Sequence, residues 1–268
     1  MKVMFRAFKM SAISDRKGMI IAVFCAIITT FLISSCSTAP SRDNMDKAES
    51  HYKLGSSYLN NSQFNEAFTE FKKSLDLNPR KKETLNYLGY LSTRFNKYEE
   101  AIMYYRKAIS IDPEYSEAMN NLGVTYAETG NWDEAVKNFD AALANPMYET
   151  PEMAYANKGY AHYMKGDYNN AETAVKQALI INRQLPLASY VLGLVYTKLD
   201  NDDAAIEEFK KAIGLAPEYV EAHMELAKTY VRSGNKAKAL KHFEAVLEHD
   251  NNTLRLREAS DQISRLKY

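Results

Sequence analysis

The sequence has little cysteine, glycine and proline, and these shortages exclude several classes of protein. Two cysteines, Cys25 and Cys36, cannot build the disulfide framework of a small secreted domain. The five histidines are scattered and form no ligand pair with a cysteine, so we expect no metal site. Ten glycines and seven prolines in 268 residues leave room for long uninterrupted helices.

An excess of either charge is also missing. The chain has 34 basic and 34 acidic residues. Five of the basic residues and one of the acidic residues precede position 36, so the remainder carries a net charge of −4. A mildly acidic chain without a basic stripe is not expected to bind nucleic acid.

Motifs of catalysis and of cofactor binding are absent from the sequence. It contains no glycine-rich phosphate loop, no HExxH, no GxSxG and no CxxC. Paired carboxylates such as Glu99 and Glu100 fall at the predicted start of a helix, where the helix dipole favours them. We therefore expect no enzymatic activity, no cofactor and no small-molecule substrate.

The first 35 residues have the features of an export signal. Residues 1–17 are basic, and residues 18–33 form an uncharged apolar run, GMIIAVFCAIITTFLI, which Ser34 and Ser35 follow. A basic segment, a short apolar core and a small-residue cleavage site define a secretory signal. The alternative is an uncleaved membrane anchor, for which the run falls short of the roughly 20 residues needed.

The stretch from Leu32 to Cys36 resembles the bacterial lipobox, in which two small residues precede the cysteine that receives lipid. The resemblance implies cleavage before Cys36 and fatty acyl chains, such as palmitate, on this residue. Two or more chains give stable attachment, because each buried CH₂ contributes about 0.8 kcal/mol. Ser37 resembles the residue that sends lipoproteins to the outer membrane, where the protein would face the periplasm. Residues 36–47 are predicted to form the lipidated N-terminus and a short tether.

A period of 34 residues fills the rest of the chain. Small residues recur at this spacing, with one two-residue insertion, at Gly55, Gly89, Gly123, Gly159 and Gly193 and at Ala67, Ala101, Ala135, Ala171, Ala205 and Ala239. Antiparallel helices approach closely only where facing side chains are small, and aromatic residues fill the space beside them. The pattern resembles the tetratricopeptide repeat (TPR). The resemblance implies an all-α superhelical solenoid.

Each predicted repeat consists of a helix, a short turn and a second helix. The six repeats span 48–81, 82–115, 116–149, 152–185, 186–219 and 220–253. Residues 254–268 are predicted to form a capping helix with an apolar face, made of Leu256, Ala259, Ile263 and Leu266. Lys158 departs from the repeat pattern, because an apolar residue is usual at its position.

In TPR arrays the first helix of each repeat lines a concave groove. The groove positions are polar in the first three repeats and largely apolar in the fourth and fifth. Because tyrosine and methionine suit recognition surfaces, we predict that this groove binds a peptide or helix of a partner protein. The predicted contact residues are Tyr87, Tyr90, Asn121, Asn157, Tyr160, Tyr163, Met164, Leu187, Tyr190, Val191 and Leu194.

Two interpretations of this surface stay open from the sequence. Asn86, Asn120, Asn121 and Asn157 are expected to hydrogen-bond the partner's backbone. The alternative is that the groove side chains pack between neighbouring repeats. Trp132 falls at a position that aromatic residues occupy in other repeats, so we interpret it as a packing residue.

The lipobox, short tether, six repeats and terminal helix together resemble the type IV pilus biogenesis and stability lipoproteins of the PilF, PilW and Tgl type. Residues 144–172, ANPMYETPEMAYANKGYAHYMKGDYNNAE, resemble that family's lengthened joint. The resemblance implies a pilotin, which helps the secretin subunit to reach the outer membrane and multimerise there. Adaptors that scaffold peptidoglycan hydrolases and lipoproteins of outer-membrane protein assembly have similar parts and remain alternatives.

Overall fold

The computed structural model describes residues 40–267, in which every regular element is a helix. The helices are α1 (Arg42–Asn60), α2 (Phe64–Leu77), α3 (Lys82–Arg94), α4 (Tyr98–Ile111), α5 (Ser116–Glu128), α6 (Trp132–Leu143), α7 (Pro151–Met164), α8 (Tyr168–Ile181), α9 (Pro186–Lys198), α10 (Asp202–Leu215), α11 (Val220–Arg232), α12 (Lys236–His249) and α13 (Thr253–Lys267). The predicted all-α repeat fold, with six hairpins and a terminal helix, is confirmed. The predicted signal and Cys36 lie outside the described residues.

Helix α1 begins earlier than the sequence suggests. It starts at Arg42, so residues 42–47, which the sequence assigns to the tether, are helical. The hydroxyl of Ser41 accepts a hydrogen bond from the backbone N–H of Asn44 at 3.1 Å. This bond satisfies one of the free N–H groups at the helix start and fixes where the helix begins.

The turn inside each hairpin places one residue in the left-handed region of backbone conformation. These residues have φ between 54° and 80°; they are Ser62, Asn96, Gly130, Gly166, Asp200 and Gly234. Glycine and small polar residues tolerate this conformation best. In the third hairpin, for example, the N–H of Asn131 then donates back to the carbonyl of Tyr126 at 2.8 Å, which ends the first helix.

The two helices of a hairpin meet at a glycine. In five hairpins a glycine of the first helix faces a large side chain of the second, and a Cβ there would come within 2.4–2.9 Å of it. The facing pairs are Gly55 with Phe71, Gly89 with Tyr105, Gly123 with Phe139, Gly159 with Val175 and Gly193 with Phe209. The facing side chains are fully or almost fully buried, so the hairpin core depends on the missing Cβ.

Successive hairpins pack on one another, and the longer joint between the third and fourth keeps this packing. Tyr148 of the joint is buried against Ala142 and Ala154. Lys158, which replaces the usual apolar residue in α7, pairs with Asp140 of α6 at 2.5 Å. An ion pair between the two repeats therefore takes the place of an apolar contact.

The terminal helix α13 packs against α12 through Ala259, which is fully buried. Ion pairs surround this contact. Arg255 binds Asp250 at 2.6 Å and Glu221 at 2.8 Å, and Glu258 binds Lys228 at 3.0 Å. Polar side chains thus close the end of the stack, as a capping helix requires.

Candidate partner-binding groove

The first helices of neighbouring repeats contact one another and form a continuous face of the stack. Helix α3 contacts α5, α5 contacts α7, α7 contacts α9 and α9 contacts α11. In the described part of the chain, the second helices of neighbouring repeats make no contacts of comparable extent. We call the face formed by α3, α5, α7, α9 and α11 the groove.

Asparagine side chains join the first helices along the groove. Asn121 of α5 donates to the side-chain oxygen of Asn86 at 3.1 Å. One repeat further on, Asn157 of α7 donates to the side-chain oxygen of Asn120 at 3.2 Å. The amides therefore connect neighbouring repeats, as the packing alternative for the groove side chains expects. Each amide pair keeps donor and acceptor capacity beyond this one bond.

A cavity of about 390 Å³ opens in the groove where α5 and α7 meet. Its lining combines a carboxylate, an amide, three aromatic rings, two aliphatic side chains and a glycine; the residues are Val124, Ala127, Glu128, Gly130, Trp132, Phe139, Asn157 and Tyr160. Trp132 and Tyr160 form one wall, with ring centroids 6.3 Å apart and planes at 80°. This edge-to-face arrangement is favourable and leaves ring surface facing the cavity.

The aromatic wall continues along α7. The rings of Tyr160 and Tyr163 lie 6.4 Å apart with an interplanar angle of 24°, and Tyr163 contacts Tyr168 at 5.9 Å. Burial raises the pKa of Tyr160, and the charges of Glu128 and Glu221 raise it further. The pKa of Tyr163 is raised by burial and by Glu225. Both hydroxyls thus remain protonated donors in an acidic part of the groove.

A second cavity of about 370 Å³ lies between α3 and α5. It is more polar than the first and shares Val124 and Glu128 with it; the other lining residues are Tyr90, Thr93, Arg94, Asn96, Tyr98, Tyr105 and Asn121. Tyr90 is 40% exposed at the edge of this cavity. The two cavities are therefore neighbours along the groove, with Glu128 between them.

Six predicted contact residues present surface in or beside these cavities. Tyr90 and Asn121 line the more polar cavity between α3 and α5, and Asn157 and Tyr160 line the cavity between α5 and α7. Tyr163 continues the aromatic wall, and Met164 at the end of α7 is 43% exposed.

Two predicted contact residues are not on the surface. Val191 is fully buried and Leu194 is 6% exposed, so neither presents area to a partner. Helices α7 and α9 contact each other through the small residue Ala156, and this approach encloses Val191 in the core. Leu194 belongs to the apolar cluster that also contains Met224 and Ala227 of the next repeat. For these two positions the packing alternative is correct.

The remaining predicted residues lie at the margins of the groove. Tyr87 is half-buried, and its ring stacks on the ring of Phe71 with the two centroids 5.0 Å apart. The ring centroid of Tyr190 lies 5.0 Å from that of Tyr219 and 6.1 Å from that of Phe209. Leu187 lines a separate cavity of about 700 Å³ at the start of α9, together with Met153 and Tyr219. These three side chains pack against other residues of the repeats, and none of them lines either of the two groove cavities.

Sequence reasoning missed two residues of the cavity between α5 and α7. Trp132 was interpreted as a packing residue, yet it lines the cavity and stands against Tyr160. Glu128 was not selected, although it borders both cavities. A signal for Glu128 exists in the sequence, since it is an acid at the last position of its helix, where the helix dipole disfavours negative charge.

Residues 40–267 contain neither a metal-binding cluster nor a membrane-spanning helix. No group of three or more histidine, cysteine, aspartate or glutamate side chains is arranged there to hold a metal ion. Over the same residues, no helix combines the length and the apolar character needed to cross a bilayer.

Models of the tetratricopeptide repeat family match most of the described chain. The matched segments are residues 48–81, 95–130, 120–186, 156–220 and 203–263. Together they reach from the first hairpin to the middle of α13, with a gap only across part of the second hairpin.

Three solved structures resemble the chain over most of their own length. PilF of Pseudomonas aeruginosa is 16% identical, with a TM-score of 0.69 over 82% of this chain and 100% of that one. PilW, a widely conserved type IV pilus biogenesis factor, is 21% identical, with a TM-score of 0.70 over 82% of this chain and 98% of that one. A tetratricopeptide repeat protein of Parabacteroides merdae is 19% identical, with a TM-score of 0.64 over 83% and 88%. At these identities the likeness concerns the fold.

Proposed function

The chain belongs to the tetratricopeptide repeat family, and we propose that it is a lipid-anchored pilotin of type IV pilus biogenesis. In this role its groove binds the secretin subunit, and its lipid on Cys36 carries the complex to the outer membrane. The protein acts by holding a partner and carries out no chemical step of its own.

The observation that carries the proposal is the groove with its two adjoining cavities. Exposed tyrosine and methionine side chains supply apolar area with little ordering cost, as at Tyr90 and Met164. Amide pairs such as Asn120 with Asn157 offer spare hydrogen-bonding groups to an entering backbone. A groove with these properties suits an extended or helical segment of another protein.

The choice of pilus biogenesis among the functions of TPR proteins rests on how much of each chain the structural likeness covers, as well as on the shared fold. The likeness to PilF and PilW spans 82% of this chain and 100% and 98% of those two proteins. The lipobox at residues 32–36 and the short stretch before α1 agree with a scaffold held close to a membrane.

The test is complementation of a strain from which the gene is deleted, followed by an immunoblot for heat-resistant secretin multimers. The wild-type chain should restore multimers, whereas Tyr90→Ala with Tyr160→Ala should leave secretin monomeric. The matched control is Met103→Ala with Ile180→Ala, which removes exposed apolar side chains from the second helices instead and should restore multimers.

A Cys36→Ser chain separates the anchor from the groove. It should lose sedimentation with outer membranes and should leave secretin multimers misplaced or absent. Normal secretin multimers in the deletion strain itself would contradict the proposal.

A further inference from the structure

We infer that the cavity between α5 and α7 accepts a basic side chain, arginine or lysine, of the segment that enters the groove. This inference rests on the proposed function and adds the chemistry by which the groove selects its partner.

Glu128 occupies a position where its charge is costly to the fold. The last residues of the other first helices are Asn60, Arg94, Met164, Lys198 and Arg232, so basic or neutral residues stand where Glu128 does. The C-terminal end of a helix carries partial negative charge, which favours cations and disfavours a carboxylate. An acid at this position has no role in stabilising α5.

Glu128 is exposed and forms no ion pair within the described residues. The other acidic residues that act on the groove tyrosines are already neutralised. Glu221 binds Arg255 at 2.8 Å, and Glu225 binds Lys228 at 3.0 Å. The lining of the α5–α7 cavity contains no lysine or arginine. A cation that enters this cavity would therefore find a carboxylate without an ion-pair partner and no basic side chain in the cavity lining.

The remaining walls suit a cation as well. The electron-rich faces of Trp132 and Tyr160 attract a guanidinium or ammonium group placed over them. Asn157 uses its N–H₂ group to bind Asn120, and its carbonyl oxygen accepts no hydrogen bond in the described part of the chain. A carboxylate, an amide oxygen and two ring faces thus converge, and each of them favours positive charge.

The neighbouring cavity between α3 and α5 has a basic residue in its lining, so it is less suited to a basic side chain of the partner. It contains Arg94, whose guanidinium lies 4.0 Å from the centroid of the Phe64 ring. An arginine of the chain itself thus borders that cavity and lowers its attraction for a second cation. The basic side chain is therefore assigned to the α5–α7 cavity alone.

Trp132 is the only tryptophan of the sequence, so its fluorescence reports directly on this cavity. The full-length chain, purified in detergent, is titrated with the peptide acetyl-Ala-Leu-Arg-Leu-Ala-amide. The matched peptide carries citrulline, which has the shape of arginine without its charge. Saturable change in the fluorescence of Trp132 gives the dissociation constant of each peptide.

The arginine peptide is expected to bind about tenfold more tightly than the citrulline peptide, because its hydrogen bonds to Glu128 are charge-assisted. Glu128→Gln should reduce this ratio to near one, and Glu128→Lys should favour a glutamate peptide instead. Glu149→Gln makes the same charge change at an exposed residue outside the cavity and should keep the wild-type ratio. Circular dichroism of each variant checks that the helices are retained.

Equal binding of the arginine and citrulline peptides, or no saturable change with either, would overturn the inference. So would a folded Glu128→Gln variant that keeps the tenfold ratio. These outcomes leave the proposed function separately testable, because the secretin immunoblot depends on Tyr90 and Tyr160 and does not require a basic side chain in the partner.

Discussion

Gly193 of α9 lies against the ring of Phe209 of α10, so that a Cβ on Gly193 would stand 2.5 Å from Cε1 of the ring. Phe209 is fully buried. The same second helix contains Gly214, around which a Cβ would meet no atom within 4 Å. One hairpin thus holds two helical glycines, one at the helix contact and one without a packing role.

The two glycines should respond to alanine in opposite directions. Gly193→Ala should lower the free energy of unfolding by about 1–3 kcal/mol, because the added methyl overpacks the contact with Phe209. Gly214→Ala should raise it by about 0.5–1 kcal/mol, because alanine restricts the unfolded chain and favours the helix. Urea unfolding of both variants measures the difference. A Gly193→Ala protein as stable as wild type would show that the contact is looser than described.

The repeat pattern predicted the fold well because each repeated residue has a local reason to recur. Small residues mark helix contacts, and the residue two positions before each second helix marks a turn with positive φ, as at Gly130 and Gly166. The start of α1 at Arg42 was missed because it precedes the first repeat, where the period carries no information. Val191 and Leu194 were misassigned because repeat position says where a side chain points and not how closely the next helix approaches.

The amide contact between α5 and α7 should appear as an energetic coupling. A double-mutant cycle of Asn120→Ala and Asn157→Ala is expected to give about 0.5–1.5 kcal/mol, the usual net contribution of one hydrogen bond. Asn86→Ala with Asn157→Ala removes two amides that share no bond, and their effects should add. Additive effects in the first cycle as well would mean that the amides do not hold the repeats together.

A pair of histidines joins α11 and α12. Nδ1 of His223 lies 3.0 Å from Nδ1 of His242, and Nε2 of His223 donates to the carbonyl of Pro217 at 2.9 Å. Because that bond requires a proton on Nε2 of His223, Nδ1 of the same ring accepts from His242 when both rings are neutral. Burial disfavours a charge on either ring, and protonating both rings would set two N–H groups against each other.

Acid should therefore weaken the last repeat. Burial, the proximity of His223 and the charge of Lys241 lower the pKa of His242 from 6.5 to about 4. Burial and the charges of His249 and Lys241 lower the pKa of His223, against the opposite effect of its bond to Pro217. The unfolded chain then binds more protons than the folded one between about pH 4 and 6.5, so stability is complete above this range and falls as pH decreases through it.

Thermal unfolding at pH 7.5 and pH 5 tests this pair. The wild-type Tm should fall by about 2–4 °C more than that of His242→Gln, the shift that about 1 kcal/mol gives in a domain of this size. His249→Gln removes an exposed histidine outside the pair and should keep most of the wild-type loss, because burial is the larger cause of the lowered pKa of His223. If His242→Gln loses as much stability in acid as wild type, other groups cause the loss.

The same pair shows a second limit of sequence reasoning. His51 in the first repeat occupies the position of His223 and binds Glu70 at 2.6 Å, while Ser189 and the buried Glu208 stand at these positions in the fifth. His51 and His223 both lie at the fourth position of their repeats. The partner on the second helix of the residue at this position varies from repeat to repeat, so the repeat period does not predict it.

The capping helix should depend on the one buried residue that it contributes. Ala259→Arg places a charged side chain into the contact with α12 and should lower stability by about 1–3 kcal/mol, whereas Ser260→Arg makes the same change on the exposed side and should cost little. Hydrogen exchange should show faster exchange in α12 and α13 for the first variant only. Equal exchange in both variants would argue against the packing of α13 on α12.

The most direct test of the groove is photo-crosslinking in living cells. A photoreactive phenylalanine replaces Tyr90 or Met164, which are exposed in the groove, or Met103 or Ile180, which are exposed on second helices. The account predicts that secretin is crosslinked from positions 90 and 164 and not from positions 103 and 180. Crosslinks to secretin from the second helices alone, or none from any of the four positions, would contradict it.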